Sequence, residues 1–321
     1  MKRFWLVSLF LLFAVAFSGA FAQDCERGTL DGRFCDTDGD LLADVPTDTS
    51  ELVDPDTIIF AYTPVEDPAV YAEVWASFLE HMSEVTGKDV RFFPIDSNAA
   101  QLEAMRAGRL HVSGFNTGSV PFAVNVAGFR PFAMMAADDG SFGYEMEIIV
   151  PPGSDISSPA DLPGKQLAFT SETSNSGFKA PSAILSAEFE LTPGESFETA
   201  FSGSHENSIL GVVNGDYQAA SIANSVLSRM IAREVVAEGD YVSVYTSQTF
   251  PTTAYGYVYN LEPELAAAIQ EAFFTYDWEG SALQEEFSES GEAQFIEIDY
   301  ETYWSVIRTI DEVNGVNYTA P

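Results

Sequence analysis

Residues 57–115 read TIIFAYTPVEDPAVYAEVWASFLEHMSEVTGKDVRFFPIDSNAAQLEAMRAGRLHVSGF, and the pattern of this segment indicates the fold class. Apolar runs at 57–62, 90–93 and 110–115 are short enough for buried strands. Between them lie two segments with apolar residues at helical spacing. Asp67-Pro68 can open the first helix and Gly87 can end it, and Ser97 can cap the second, which Gly108 can end. This strand–helix–strand–helix–strand order predicts right-handed crossover connections and a parallel sheet.

A second set of alternating elements begins after Pro151-Pro152-Gly153, a turn sequence that we take as a lobe boundary. It includes a strand at 166–169, a helix near 181–189 and a helix that Ser204 can cap. The apolar run 255–259 then predicts a strand that returns to the first unit. We therefore expect an α/β protein of two lobes that are joined by two crossovers and separated by a cleft.

The predicted boundaries assign residues 57–150 and 255–321 to lobe 1 and residues 151–254 to lobe 2. Residues 23–56 are polar, rich in Asp, Thr and Gly, and lack periodicity, so we expect them to form an acidic N-terminal extension.

The first 22 residues have the pattern of an export signal. Lys2 and Arg3 precede an almost unbroken apolar run at 4–17, and Ala20-Phe21-Ala22 provides a small-x-small cleavage site. We expect cleavage after Ala22 and a soluble protein in the periplasm. The alternative is a retained membrane anchor, for which the apolar run is short.

The chain contains two cysteines, Cys25 and Cys35, both just beyond the predicted cleavage site. An oxidising compartment favours a disulfide between them. The rest of the mature chain has no cysteine, so it must be held together by burial of its hydrophobic residues.

The charge is strongly negative, with 49 acidic against 14 basic residues and a net charge of −35. A surface of this kind repels nucleic acid and anionic lipid, which excludes them as partners. Ambient salt would screen the self-repulsion, so a high-salt habitat is a reasonable inference.

The segment 170–177, TSETSNSG, lies between an apolar strand and a helix. Small hydroxyl residues and glycine allow backbone N–H groups to converge on one point, with the positive end of a helix dipole behind them. Such a segment can bind an oxyanion without many cations. The alternative is an ordinary capped loop, in which these residue types are common. Pro181 indicates that the helix begins there or has an irregular first turn.

His205 is one of three histidines and falls in the first turn of the helix that Ser204 can cap. From that position it can donate a hydrogen bond to an anion in the cleft. A solvent-facing histidine at a helix start is the alternative.

The extension carries alternate carboxylates in the segment DTDGDLLAD, at Asp36, Asp38, Asp40 and Asp44. This spacing suits a structural calcium loop, but Leu41 and Leu42 depart from the EF-hand pattern and no Glu closes it. We favour a solvated acidic linker, with calcium binding as the alternative.

No catalytic motif is present: the chain lacks a nucleophile elbow, a zinc-protease motif, an ATPase phosphate loop and a dinucleotide fingerprint. We therefore expect a protein that is not an enzyme and has no cofactor beyond the calcium considered above. The remaining enzymatic alternative uses His205 and Glu206 as acid and base.

Several segments together resemble the phosphate/phosphite/phosphonate substrate-binding proteins of ABC transporters. They are 101–111 (QLEAMRAGRLH), 115–119 (FNTGS), 173–177 (TSNSG) with Pro181, and 202–205 (SGSH). The resemblance extends over nearly all of the chain beyond the extension. It implies a type II periplasmic-binding fold that closes around its ligand by hinge motion.

The resemblance also implies residue roles and partners. The second lobe would hold a small phosphorus oxyanion, and the first would close over it, through the residues Thr173, Ser174, Asn175, Ser176, Gly177 and His205 on one side and Asn116, Thr117 and Gly118 on the other. Tyr144 is a further pocket candidate, with strand packing as the alternative. The implied partner is an inner-membrane permease, and we expect a monomer.

Two departures from the family pattern bear on the ligand. Thr253 stands near the position where aminophosphonate binders carry an Asp, and Asn98 stands where many members have a Tyr. Because Thr253 cannot balance an ammonium group, we predict phosphite, phosphate or methylphosphonate as the ligand. A receptor for another small anion or organic solute, and a sensor that presents the bound state to a membrane kinase, are the alternatives.

Overall fold

The computed structural model of the protein describes residues 25–318. The predicted signal peptide and its cleavage after Ala22 lie outside the described residues. Within the described residues, none of the helices combines the length and apolar character needed to cross a membrane.

The described residues form two sheets flanked by helices. The strands are β1 (Thr57–Ala61), β2 (Asp89–Phe92), β3 (Val112–Phe115), β4 (Phe129–Ala136), β5 (Tyr144–Val150), β6 (Gln166–Phe169), β7 (Glu198–Phe201), β8 (Ala219–Ala223), β9 (Val242–Phe250), β10 (Ala254–Val258) and β11 (Gln294–Glu297).

The helices connect these strands and cover the sheets. They are α1 (Pro68–Val74), α2 (Ala76–Thr86), α3 (Asn98–Arg106), α4 (Val120–Phe122), α5 (Ala180–Phe189), α6 (His205–Val213), α7 (Asn224–Ala232), α8 (Pro263–Thr275), α9 (Ala282–Phe287), α10 (Tyr300–Tyr303) and α11 (Ser305–Val313). Two π-helical turns, Ala123–Ala127 and Asn175–Lys179, follow α4 and precede α5.

The sheet of the first lobe has the strand order β11-β4-β10-β3-β1-β2. Strands β1, β2 and β3 are parallel, as the alternating pattern predicts. Strand β10 is antiparallel to β3 and β4 because it returns from the second lobe, which makes this sheet mixed.

The sheet of the second lobe has the order β7-β6-β8-β5-β9. The predicted boundary at residue 150 assigns the segment of strand β5 to lobe 1, and this assignment is wrong. Strand β5 pairs antiparallel with β8 and β9 in the second sheet. Pro151-Pro152-Gly153 follows β5 within the second lobe. Proline has no N–H to donate to a neighbouring strand, so this turn ends the strand but does not mark the end of a lobe.

The chain therefore crosses between the lobes at residues 137–143 and again at residues 251–253. The two crossings lie side by side, since β4 pairs antiparallel with β10 on one side of them and β5 with β9 on the other. Paired extended segments of this kind form a hinge about which two lobes can close.

The predicted helix starts are confirmed by side-chain caps. Asp67 accepts a hydrogen bond from Ala69 N at the start of α1, Ser97 from Ala100 N at α3, and Ser204 from Asn207 N at α6. Each cap satisfies a backbone donor that has no partner within its helix. Gly87, in the left-handed region at φ 67°, ends α2 as predicted.

The N-terminal extension packs on the first lobe instead of forming a solvated linker. Phe34 is buried and its ring contacts that of Tyr259 at 4.9 Å between centroids. Val53 N donates to Asn260 O at 2.8 Å. A disulfide joins Cys25 to Cys35, as predicted.

Helix α11, in the segment predicted for lobe 1, packs on the second lobe. Its Asp311 forms a buried ion pair with Lys179 at 2.5 Å, and Asn314 Nδ2 donates to Lys179 O at 2.9 Å. Helix α11 and Asn314 after it therefore hold the segment that follows β6. Periodicity predicts that α11 has an apolar face but does not indicate which lobe the face meets.

Candidate ligand-binding site

A small cavity lies between the two lobes beside the hinge. Its volume is about 50 Å³. A single water needs roughly 10–15 Å³ on the same measure, so the space suits an ion the size of a few waters. Eight residues predicted to bind ligand line this cavity together, namely Asn116, Thr117, Tyr144, Ser174, Asn175, Ser176, His205 and Thr253.

The segment after β6 places helix N–H groups at the cavity. Ser174 caps the π-helical turn Asn175–Lys179 by accepting a hydrogen bond from Gly177 N at 3.1 Å. The N–H groups of Asn175 and Ser176 are in the first turn and so have no acceptor within their own helix. They lie at the positive end of the turn and of α5 behind it, which favours an anion.

The π-helical turn accounts for Pro181, which has no N–H to donate. In a regular helix Pro181 would leave the carbonyl of Gly177 unpaired, and in a π-turn that of Ser176. Here Thr170 N donates to Gly177 O at 3.0 Å, and Ser221 Oγ donates to Ser176 O at 2.8 Å. The first turn is therefore irregular, one of the two forms that the sequence allowed.

His205 lies at the start of α6, is buried and has a defined tautomer. Its Nδ1 accepts a hydrogen bond from Ala223 N at 3.1 Å, and its Nε2 lies 3.4 Å from Ser176 Oγ. Burial, reinforced by the charge of Arg229, lowers the pKa of His205 to about 3. The ring is therefore neutral near pH 7 with its proton on Nε2, which makes it a hydrogen-bond donor towards the cavity.

Tyr144, on β5, supplies a hydroxyl to the same wall. Asn175 Nδ2 lies 3.1 Å from the Tyr144 hydroxyl. Burial raises the pKa of Tyr144, so the side chain remains a neutral phenol with a proton to donate. Because β5 belongs to the second lobe, Tyr144 lines the cavity from that lobe and not from the first.

Polar contacts hold the first lobe against this wall. Asn98 Nδ2 donates to Ser171 Oγ and to Thr173 Oγ1, both at 3.0 Å, and Asn98 Oδ1 accepts from Asn116 Nδ2 at 2.8 Å. Thr117 Oγ1 donates to Pro251 O in the second crossing at 2.7 Å. The departure at Asn98 therefore forms an interlobe contact and does not line the cavity.

Three predicted residues, Thr173, Gly177 and Gly118, do not line the cavity. Thr173 accepts from Asn98 across the lobe contact, and Gly177 packs against Thr170 behind the turn. Gly118 lies so close to the backbone of Thr173 and Asn175 that a Cβ would overlap both. These residues shape the closed form, whereas the prediction gave them direct ligand contacts.

Sequence reasoning missed a buried cation in the cavity wall. Arg229, on α7, is 3% exposed. Its Nη1 donates to Ser290 Oγ at 3.1 Å, and its other nitrogens lie 3.6 Å from Glu66 and 3.5 Å from Glu286, both in the first lobe. Arg233 bonds the same two carboxylates at 2.7 and 3.0 Å. A signal existed, since Arg229 is three residues after Val226 on the apolar face of α7.

Four further polar lining residues were also missed: Tyr62, Ser225, Thr252 and Glu292. Thr252 adjoins the predicted Thr253, and Tyr62 directly follows β1, where side chains commonly reach a cleft. Ser225 and Glu292 carry no pattern that points to a ligand.

The acidic loop of the extension remains separate from this cavity. Asp36, Asp38 and Asp40 each bring one carboxylate oxygen within 4.8 Å of the others. Asp44 turns away from them and accepts from Thr37 N at 3.1 Å and Thr37 Oγ1 at 2.8 Å. Three carboxylates fit part of a calcium site, and calcium binding stays the alternative that the sequence left open.

Comparison with known proteins identifies the family. The model of the periplasmic substrate-binding proteins of phosphonate ABC transporters matches residues 60–303. The chain belongs to this family.

Relatives in the phosphonate-binding family cover most of the chain. The phosphate-import protein PhnD of Mycolicibacterium smegmatis is 26% identical over 291 residues, which span 86% of this chain and 88% of that protein. A phosphonate-transporter binding protein from Pseudomonas aeruginosa superposes with a TM-score of 0.73 at 22% identity, over 80% of this chain and 86% of that one. PhnD1 from Prochlorococcus marinus, solved with methylphosphonate, superposes with a TM-score of 0.70 at 15% identity, over 82% of this chain and 99% of that one.

Membership of the phosphonate-binding family confirms several predictions. The fold is the two-lobed type II periplasmic-binding fold. The protein is a periplasmic substrate-binding protein of an ABC transporter, with a small-molecule ligand and a permease partner, and it is not an enzyme.

Proposed function

We propose that the protein captures a small phosphorus oxyanion, namely phosphite, phosphate or methylphosphonate, between its lobes and delivers it to an ABC importer. The observation that carries this proposal is the convergence of uncharged donors on one cavity. They are the N–H groups of Asn175 and Ser176, the Nε2–H of His205 and the hydroxyl of Tyr144. The named ligands of the PhnD relatives, phosphate and methylphosphonate, support the same class.

The expected affinity follows from these donors. A hydrogen bond to a charged oxygen contributes about 1.5–3 kcal/mol. A micromolar Kd corresponds to about 8 kcal/mol, so four such bonds cover this and the costs of closure and desolvation only if each lies near the upper end of that range. The buried Arg229 adds a positive charge in the wall, which a site built from dipoles alone would lack.

The cavity favours a ligand without an amine. Thr253 lines it and is uncharged, as the sequence argument requires, and the volume of about 50 Å³ leaves little room for an aminoalkyl chain.

Isothermal titration calorimetry with phosphite, phosphate, methylphosphonate, 2-aminoethylphosphonate and sulfate tests the proposal. We expect one of the first three to bind at micromolar Kd or tighter. If 2-aminoethylphosphonate binds tighter than all three, the ligand carries an amine. If sulfate binds tightest, the protein serves another class of anion.

Replacing His205 by Ala is expected to weaken binding of the preferred oxyanion by at least about tenfold, because one buried hydrogen-bond donor is lost. The measurement is the Kd from calorimetry. His81→Ala is the matched control, since His81 lies on α2 away from the cavity and bonds Thr275. Equal affinities for both variants would remove His205 from the site.

A further inference from the structure

Glu292 is a buried carboxyl group in the wall of the same cavity, and it comes from the first lobe. It lies in the turn between α9 and β11 and is 7% exposed. Its backbone N–H donates to Phe287 O at 3.1 Å, which fixes the turn. One carboxyl oxygen accepts a hydrogen bond from Ser290 Oγ. Within residues 25–318, the other carboxyl oxygen has no hydrogen-bond donor, so it is available to a ligand.

The groups that face Glu292 come from several elements. Arg229 on α7 lowers the pKa of Glu292 by electrostatic attraction. The charge of Glu292 in turn raises the pKa of Tyr62 and Tyr255 in the first lobe. Glu145 on β5 lines an adjoining groove together with Glu292. Burial raises the pKa of Glu292, and the attraction of Arg229 opposes this only in part.

The charges around Glu292 are unfavourable for binding an anionic ligand. Arg229 and Arg233 already pair with two other carboxylates, Glu66 and Glu286. If Glu292 is ionised, negative charges outnumber positive ones before any ligand enters. An anion that binds here therefore places an oxygen beside a carboxylate, and the contact becomes favourable only if a proton lies between them.

We propose that Glu292 selects ligands that carry an acidic proton, by accepting a hydrogen bond from the P–OH group of the bound oxyanion. This inference rests on the proposed function and names the chemical feature by which the site distinguishes its ligand. Phosphite, phosphate and methylphosphonate each have a singly charged form with a P–OH near neutral pH, whereas sulfate has no proton there. Sulfate can bind only if Glu292 takes a proton from solvent.

The proposal predicts different pH dependences for the two classes of anion below neutral pH. Because sulfate binding requires uptake of a proton by Glu292, its affinity is expected to fall as pH rises from 5 to 6.5, by up to about tenfold per pH unit. Phosphite is mostly singly charged in this range and brings its own proton, so its affinity is expected to change little until it loses that proton at higher pH. Calorimetry of the unmodified protein with phosphite and sulfate across this range measures the difference without any substitution.

Glu292→Gln tests the residue itself. The amide can turn its NH₂ group towards an unprotonated oxygen, so sulfate gains a donor where it met a carboxylate. We expect the ratio of sulfate Kd to phosphite Kd at pH 6, where phosphite carries its P–OH, to fall at least about tenfold, and the pH dependence of sulfate binding to disappear.

Glu286→Gln is the matched control. It removes one negative charge from the same cluster, but Glu286 contacts the two arginines and does not line the cavity. We expect it to change the Kd of both anions by a similar factor and to leave their ratio within about twofold.

The outcomes separate this inference from the proposed function. If the unmodified protein binds phosphite and its ratio to sulfate is the same in Glu292→Gln, the role of Glu292 is overturned and the function stands. If sulfate binding by the unmodified protein is independent of pH, the inference also fails. If no phosphorus oxyanion binds, both the function and the role of Glu292 fail.

Discussion

Replacing Gly118 with alanine is expected to weaken phosphite binding by about 100-fold or more, while the free energy of unfolding stays close to that of the unmodified protein. The added Cβ would overlap backbone atoms of Thr173 and Asn175, which belong to the opposite lobe. Backbone cannot move aside as a flexible side chain can. The closed form is therefore penalised, and binding that depends on closure loses a corresponding factor. Calorimetry measures the Kd, and thermal unfolding measures the stability.

Gly239→Ala is the control for this substitution. Gly239 lies in the second lobe, and a Cβ there would meet no heavy atom within 4 Å. We expect its Kd to match that of the unmodified protein. A Gly118→Ala variant that binds phosphite as tightly as Gly239→Ala would show that the lobes do not close through the contact seen here.

Lys179→Ala is expected to lower the free energy of unfolding by about 3–5 kcal/mol, because it leaves the Asp311 carboxylate buried without its partner. The pair is 2.5 Å apart, and each side chain is 1% exposed. Lys179 Nζ also donates to Gly118 O at 2.7 Å, so the substitution removes a contact between the two lobes as well. Chemical denaturation monitored by circular dichroism measures the change.

Lys165→Ala provides the comparison for an ion pair of similar length at the surface. Lys165 Nζ lies 2.6 Å from Asp155, whose side chain is 76% exposed. Such pairs contribute about 0–1 kcal/mol. Equal destabilisation by the two substitutions would show that the Lys179–Asp311 pair is solvated. Replacing both Lys179 and Asp311 by apolar residues is expected to recover part of the lost stability.

The local elements were predictable because their signals are local. Alternating apolar runs gave β1 to β3, and capping residues such as Ser97 and Ser204 marked helix starts. The lobe of β5 was not predictable in this way. Its partners β8 and β9 lie some 70 to 100 residues further along the chain, and the Pro-Pro-Gly turn after it ends a strand without ending a lobe.

The residues of the site likewise fall into those that local sequence predicts and those that only the tertiary structure reveals. The donors in the turn after β6 follow from turn chemistry that can be read in eight consecutive residues, and His205 follows from a helix start. Arg229 and Glu292 lie on different lobes and come together only in the folded chain, where both line the cavity. The packing of the extension on the first lobe was equally hidden, because its buried residues, Leu30, Phe34, Leu42 and Ala43, follow neither a helical nor a strand period.

A crystal structure of the protein saturated with phosphite would show directly whether the interlobe cavity is the binding site. We expect the ion in this cavity, with its oxygens within hydrogen-bonding distance of the N–H groups of Asn175 and Ser176 and of His205 Nε2. An ion bound elsewhere, or a turn at 173–177 that faces bulk solvent in the liganded protein, would contradict this prediction.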